Sequence, residues 1–169
     1  EDPTRAADNT YTYEFAGWDS DVVTTVAGNA IYTATYTAIY IDYTIKFVDY
    51  DNSVISEKTY HYGDTVVVPD DPTREADETY TYEFKGWDSD VVTTVVGNAT
   101  YKATYDATYI KYTIVFKNYN GDVLSTKTYH FGDEVEVPVN PTRQSTAQYS
   151  YTFKEWSPEV VEVTDDATY

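Results

Sequence analysis

The chain has 169 residues, no cysteine and no methionine, and its 29 acidic and 11 basic side chains give a formal charge of −18. The missing cysteines exclude a disulfide framework and a thiolate metal site. The acidity disfavours nucleic acid and anionic membrane surfaces as partners, because both require a basic binding surface. We find no apolar run that could insert into a membrane, and we interpret the chain as an excised piece of a longer protein.

A period of 69 residues organises the chain. Trp18, Trp87 and Trp156 keep this spacing, and residues 1–42 match residues 70–111 at 32 of 42 positions. A Pro-Thr-Arg motif recurs at the same interval, with its prolines and arginines at Pro3, Pro72, Pro141, Arg5, Arg74 and Arg143. The sequence therefore predicts tandem modules, with residues 1–42 as a partial copy, 43–111 as a complete copy and 112–169 as a nearly complete copy.

The first copy opens with a proline turn at residues 2–5, followed by an aromatic strand. A short apolar piece, Val22–Val26, comes next, and Gly28-Asn29 indicates a turn. Alternation over residues 30–36 predicts a second strand.

The second copy begins with a strand from Tyr43 to Phe47, a turn over residues 49–53 and a returning strand, Val54–His61. In the third copy, Asn120-Gly121 stands in the matching turn, which is a strong hairpin signal. After a turn at Gly63-Asp64, we predict a further short strand over residues 65–68, ended by Pro69.

An aromatic strand then precedes each tryptophan. Tyr80, Tyr82 and Phe84 alternate with polar residues, so their rings share one face of the strand. Filling a small core and forming a sugar-stacking platform are both open roles for these rings. The central tyrosines of the three copies are Tyr13, Tyr82 and Tyr151.

Each copy ends in another strand, predicted over residues 99–105 in the second copy. Only six residues, Thr37–Asp42 and Asp106–Lys111, separate this region from the following copy, and neither linker contains glycine or proline. Short linkers of this kind permit little independent motion. We therefore expect closely coupled modules in a mainly β chain with little or no helix, arranged as an elongated rod.

The order of these motifs resembles the Listeria–Bacteroides repeat, also called the internalin B repeat. The resemblance rests on Tyr43–Phe47, Tyr62-Gly63, Pro72-Thr73-Arg74, Tyr82–Trp87 and Ala99–Tyr101, and it covers essentially the whole chain. It implies small β-grasp-like modules in tandem on bacterial surface and secreted proteins, without shared catalytic residues. Two features depart from the pattern: Glu155 replaces the glycine before Trp156, and Glu75–Thr79 lengthens the segment before the aromatic strand.

The polar residues point to structural roles. His61 and His130 occupy equivalent positions, and with no partnered nucleophile we interpret them as structural or surface residues. Asp49, Asp51 and Asn52 form a weak calcium candidate, because a calcium loop of the usual kind requires more oxygen ligands. We expect no cofactor and no catalytic residues.

The recurring arginines have two open roles: they could lie over an aromatic ring or bridge to a carboxylate. We also consider intramolecular isopeptide bonds through Lys46, Lys58 or Lys127, although the sequence identifies no asparagine partner.

We predict that the chain is no enzyme but a stalk segment of a bacterial extracellular or cell-surface protein of the adhesin type, with neighbouring repeats as its partners. Head-to-tail assembly into a filament through β pairing is one alternative, because the partial first copy leaves an open edge. Binding of a host glycan or protein is the other. The aromatic side chains predicted to face such a ligand are Tyr40, Tyr50, Tyr109 and Tyr119.

Overall fold

The computed structural model describes residues 1–169 and contains nine strands and no helix. The strands are β1 (Tyr11–Trp18), β2 (Ala34–Tyr40), β3 (Tyr43–Val48), β4 (Val54–Tyr60), β5 (Tyr80–Trp87), β6 (Ala99–Tyr109), β7 (Tyr112–Lys117), β8 (Val123–Tyr129) and β9 (Ala167–Thr168). No helix suited to crossing a membrane is found. Two compact units form: residues 1–72 with 84–104, and residues 73–83 with 105–169.

The complete copy forms a mixed four-stranded sheet in the order β4-β3-β6-β5. β3 pairs antiparallel with β4 through a short hairpin, and parallel with β6, with Ile45 opposite Ala99. Parallel strands need a crossover connection, which is usually a helix. Irregular segments take that place here, and two of their side chains, Val66 and Val95, are buried against the sheet. The prediction of mainly β tandem modules with little or no helix is confirmed.

The core of the first unit is centred on Phe47. Its ring meets Trp87 edge-on at 4.8 Å between centroids and stacks on Tyr101 at 5.2 Å. Ile45 and Val95 complete the cluster and are at most 1% exposed. Every second residue of β3 thus points into the core, as the alternation in the sequence requires.

The second unit repeats this core at the equivalent positions. Phe116 meets Trp156 at 4.8 Å and Tyr169 at 5.2 Å, and Ile114 and Val163 are each 1% exposed. Trp87 and Trp156 therefore each cover the phenylalanine of the central strand in their own unit.

The first copy has the hairpin but not the core. β1 and β2 pair antiparallel with a bulge between Phe15 and Gly17. Val26, the counterpart of Val95, is 87% exposed, and Trp18 is 43% exposed. The cause is local: no strand equivalent to β3 lies against this hairpin among the described residues.

Several predicted boundaries were wrong. In the first copy, the strand predicted over residues 30–36 begins at Ala34 instead and continues to Tyr40. β6 likewise continues to Tyr109, so the chain leaves only two residues between strands at each junction. Residues 65–68 contribute only one isolated bridge, between Thr65 and Thr94.

The third aromatic segment, residues 148–156, is not a strand. In the second copy the equivalent segment, β5, lies beside the 11-residue strand β6, whereas within residues 1–169 the corresponding strand β9 has two residues. An aromatic alternation without a partner strand does not form a ladder.

Candidate functional site

The most regular polar arrangement in the molecule lies where one copy meets the following copy. At the first junction, the backbone N–H of Ile41 donates to the carbonyl of Thr10 over 2.9 Å. The hydroxyl of Tyr43, the first residue of β3, donates to the carbonyl of Asn9 over 2.8 Å. The end of the β1–β2 hairpin is thereby bonded to the first strand of the next copy.

A ring contact reinforces this junction. The rings of Tyr40 and His61 lie 4.2 Å apart, and Nε2 of His61 lies 3.5 Å from Oδ1 of Asp42. Oδ2 of Asp64 accepts the backbone N–H of His61 over 2.7 Å, which fixes the end of β4.

The second junction repeats these contacts at positions 69 residues later. Ile110 donates its N–H to the carbonyl of Thr79 over 2.9 Å, and the Tyr112 hydroxyl donates to the carbonyl of Glu78 over 2.8 Å. The rings of Tyr109 and His130 lie 4.8 Å apart. Both histidines therefore lie at junctions, in contact with a tyrosine of the preceding copy.

The recurring arginines lie over tyrosine rings. The guanidinium carbons are 3.6 Å (Arg5 over Tyr13), 3.5 Å (Arg74 over Tyr82) and 3.8 Å (Arg143 over Tyr151) from the ring centroids. Of the two roles left open by the sequence, the cation–π contact is thus present in all three copies. The three prolines precede these arginines by two residues, and their fixed φ restricts the backbone conformation of the segment that leads to each arginine.

An aspartate that sequence reasoning missed orders the same segment. Oδ1 of Asp77 accepts the backbone N–H groups of Thr79 and Tyr80, and its Oδ2 accepts the Tyr82 hydroxyl over 2.6 Å. The bond from the Tyr82 hydroxyl is the largest cause of a lowered pKa at Asp77, and the two backbone bonds lower it further. Asp8 makes the same contacts in the first copy, so recurrence at the 69-residue period was the available signal.

Asn98 is a second residue that the sequence analysis missed. Its side-chain oxygen accepts the backbone N–H of Thr44 over 2.7 Å. Asp166 does the same for Thr113 over 2.6 Å. In each unit, this bond ties the start of the central strand to the loop before the last strand.

The four tyrosines predicted to face a ligand are exposed by 44–64%, but within a unit they are separated. Tyr40 lies at the first junction and Tyr50 lies in the turn after β3, so the length of β3, about 20 Å, separates them. Tyr109 lies at the second junction, whereas Tyr119 lies in the turn after β7, beside Arg143.

Each side chain of the weak calcium candidate has one oxygen engaged within the protein. Oδ1 of Asp51 accepts two bonds from Ser53, and Oδ1 of Asp49 accepts the N–H of Tyr50. The side-chain oxygen of Asn52 accepts the Lys102 ammonium over 2.9 Å. No group of three or more His, Cys, Asp or Glu residues with the geometry of a metal site is found.

Comparison with known proteins agrees with the repeat pattern. The family model described as the Listeria-Bacteroides repeat domain matches residues 43–109 and 112–166. A search of curated proteins and a search of solved structures found no match. Two consecutive matches cover most of the chain, and both begin at the first strand of a copy. The chain therefore belongs to the Listeria-Bacteroides repeat domain family, whose repeats are typical of bacterial surface proteins.

Proposed function

We propose that this chain is a structural spacer, a stalk segment of a bacterial extracellular protein that carries an adhesive or enzymatic part away from its attachment point. The observation that supports this most directly is the repeated junction. Its backbone bond, its tyrosine bond and its tyrosine–histidine contact recur at both junctions.

Two-residue links favour coupling over independent motion. Only Ile41-Asp42 lies between β2 and β3, and only Ile110-Lys111 lies between β6 and β7, and such a short link cannot act as a flexible tether. One tyrosine hydrogen bond, which contributes on the order of 1 kcal/mol, and one tyrosine–histidine ring contact cross each junction and oppose reorientation of neighbouring copies. β6 is one strand of 11 residues and ends two residues before β7.

The composition supports the same proposal. A formal charge of −18 keeps a repetitive β chain soluble and repels like copies laterally. Stability in small repeats comes largely from contact between neighbours, and coupling at the junction supplies such contact.

Scattering of the chain behind a sizing column tests this proposal. We would insert Gly-Ser-Gly-Ser after Lys111 and, as the matched control, the same four residues between Asn120 and Gly121 in the exposed turn after β7. The junction insertion should change the scattering profile toward that of a flexible chain, whereas the turn insertion should not. Identical profiles for the native chain and both variants would reject the spacer mechanism.

Self-assembly is a second candidate for the chain of residues 1–169, in which one face of the first copy is exposed. Val26 and Trp18 are exposed there, whereas their counterparts Val95 and Trp87 are packed against Phe47 and its neighbours. The occupant that fits this face is a β3–β4-type hairpin from a second copy of the chain. A mass that rises with concentration and falls back in Val26→Asp would support it; a constant monomer mass up to millimolar concentration would reject it.

A further inference from the structure

The third copy contains a stretch whose charge differs from the rest of the chain. Residues 139–154 include no Asp and no Glu, although the chain as a whole carries 29 acidic residues. The equivalent stretch of the second copy, residues 70–85, has six acids: Asp70, Asp71, Glu75, Asp77, Glu78 and Glu83. Both stretches keep one arginine and one lysine, so the third copy alone has a net positive segment.

This segment lines a groove of about 230 Å³. Its walls are built largely by Tyr119, Arg143, Tyr151, Phe153 and Lys154, and no carboxylate is among the lining residues. The nearest acids in sequence are Asp122, which accepts a bond from the Asn120 amide, and Glu155. The volume is below the roughly 300–1,000 Å³ of drug-sized sites, so it suits a single small group rather than a long ligand.

Arg143 is held by stacking and has its donors unused. Its guanidinium carbon lies 4.2 Å from the ring centroid of Tyr119 and 3.8 Å from that of Tyr151. Both rings lie within cation–π distance of the guanidinium, and its N–H donors have no hydrogen-bond or ion-pair partner in the protein. A guanidinium fixed in this way presents its N–H edge in the geometry that binds a carboxylate or phosphate bidentately.

Tyr151 adds a second unused donor. In the second copy, the equivalent hydroxyl of Tyr82 donates to Asp77 over 2.6 Å. Thr146 stands at the aspartate position of the third copy, and its hydroxyl oxygen accepts backbone N–H groups instead. The Tyr151 hydroxyl is thereby left without a protein acceptor.

Lys154 is paired, but loosely. Its ammonium lies 2.8 Å from Oε1 of Glu155, and the two side chains are 86% and 64% exposed. Ion pairs this exposed contribute little, so the ammonium can exchange Glu155 for another anion.

We propose that this groove binds an acidic sugar unit, a saccharide that carries a carboxylate or a phosphate. The anionic group accepts hydrogen bonds from the N–H edge of Arg143, and the Tyr151 hydroxyl donates to an oxygen of the sugar or of the anion. The sugar ring packs against Tyr119 and Phe153. The inference is separate from the spacer role, since it concerns one copy and does not depend on how the copies are coupled.

Nuclear magnetic resonance titration with small saccharides tests the proposal on the intact chain. The probes are galacturonic acid for the carboxylate, glucose 6-phosphate for the phosphate, and neutral galactose as the control. We expect at least one acidic probe to shift the ring signals of Tyr119 and Tyr151 saturably, with at least tenfold weaker binding of the neutral sugar. The probe that binds more tightly identifies which anion the groove prefers.

Three variants separate the groove from general effects. Arg143→Gln should weaken binding at least tenfold, whereas the matched Arg74→Gln should leave it unchanged. Thr146→Asp with Thr152→Glu restores two of the six acids of the second copy without changing Arg143, and it should abolish binding while the fold is retained. Equal binding of the neutral sugar, an equal loss in Arg74→Gln, or no shift with either acidic probe would overturn the proposal, as would self-association that occupies the groove.

Discussion

Val95 and Val26 offer the most direct test of the core, because they occupy the same position of two nearly identical copies. Val95 is 0% exposed in contact with the Phe47 cluster, whereas Val26 is 87% exposed. Val95→Ala removes two buried carbon groups at about 0.8 kcal/mol each and leaves a small cavity. We expect the free energy of opening the structure around Val95 to fall by about 2 kcal/mol, which corresponds to an increase of about 30-fold in the opening equilibrium constant.

Hydrogen exchange at individual amides measures this loss of stability near Val95. The N–H of Gly63 donates to the carbonyl of Val95, and the N–H of Val66 donates to that of Thr93. Both amides should exchange about 30-fold faster in Val95→Ala. Val26→Ala should change them by less than about threefold, because exposed substitutions usually cost under about 0.5 kcal/mol. A comparable effect of the two substitutions would refute the assignment of the core.

Three further predictions concern polar contacts and backbone geometry. The pKa of Asp77 is lowered in the folded chain, so its stabilising effect is complete above its unfolded pKa and is lost as the pH falls through the folded pKa. Below about pH 4 the neighbouring amides should therefore lose hydrogen-exchange protection, measured against the intrinsic rate at each pH, in the native chain but not in Asp77→Asn. Asn98→Ala should cost about 1 kcal/mol in a urea titration through the lost bond to Thr44, whereas Asn98→Asp, the residue type of the third copy, should cost little. Gly86 has a φ of 130°, so Gly86→Ala should lower the free energy of unfolding by about 1 kcal/mol or more. Gly97 lies outside the left-handed region, so Gly97→Ala should leave the free energy of unfolding nearly unchanged in the same titration.

The sequence predicted those parts of the fold that depend on local alternation. The β3–β4 hairpin and its turn follow from residues 43–60, and the turn has Asn52 at a φ of 69° where the third copy has Gly121. Side-chain alternation and turn chemistry are short-range properties, so a single copy of the sequence suffices to find them.

Features that depend on distant partners were not predictable in the same way. Val95 is buried in the second copy, whereas Val26, its counterpart in the identical apolar stretch of the first copy, is exposed, because burial depends on whether a β3-type strand lies against it. The aromatic pattern of residues 148–156 predicted a strand that lacks its partner. The extension of β2 and β6 into the supposed linkers was also missed, although the Thr, Ile and Tyr residues there favour strands.

At the candidate site, too, some features could be predicted from the sequence and others could not. Recurrence at the period identified Arg5, Arg74 and Arg143, but only coordinates distinguish ring stacking from ion pairing. The junction contacts of His61 and His130 join residues about 20 positions from their partners, and no short motif announces such a contact.

The central claim, that the junction couples neighbouring copies, is tested most directly by a distance distribution between spin labels. The chain has no cysteine, so Thr59→Cys and Thr128→Cys, exposed equivalents on β4 and β8, can be labelled uniquely. Coupled copies predict one narrow distribution that broadens when Gly-Ser-Gly-Ser is inserted after Lys111. A distribution that is already broad in the native chain, and unchanged by the insertion, would contradict the account.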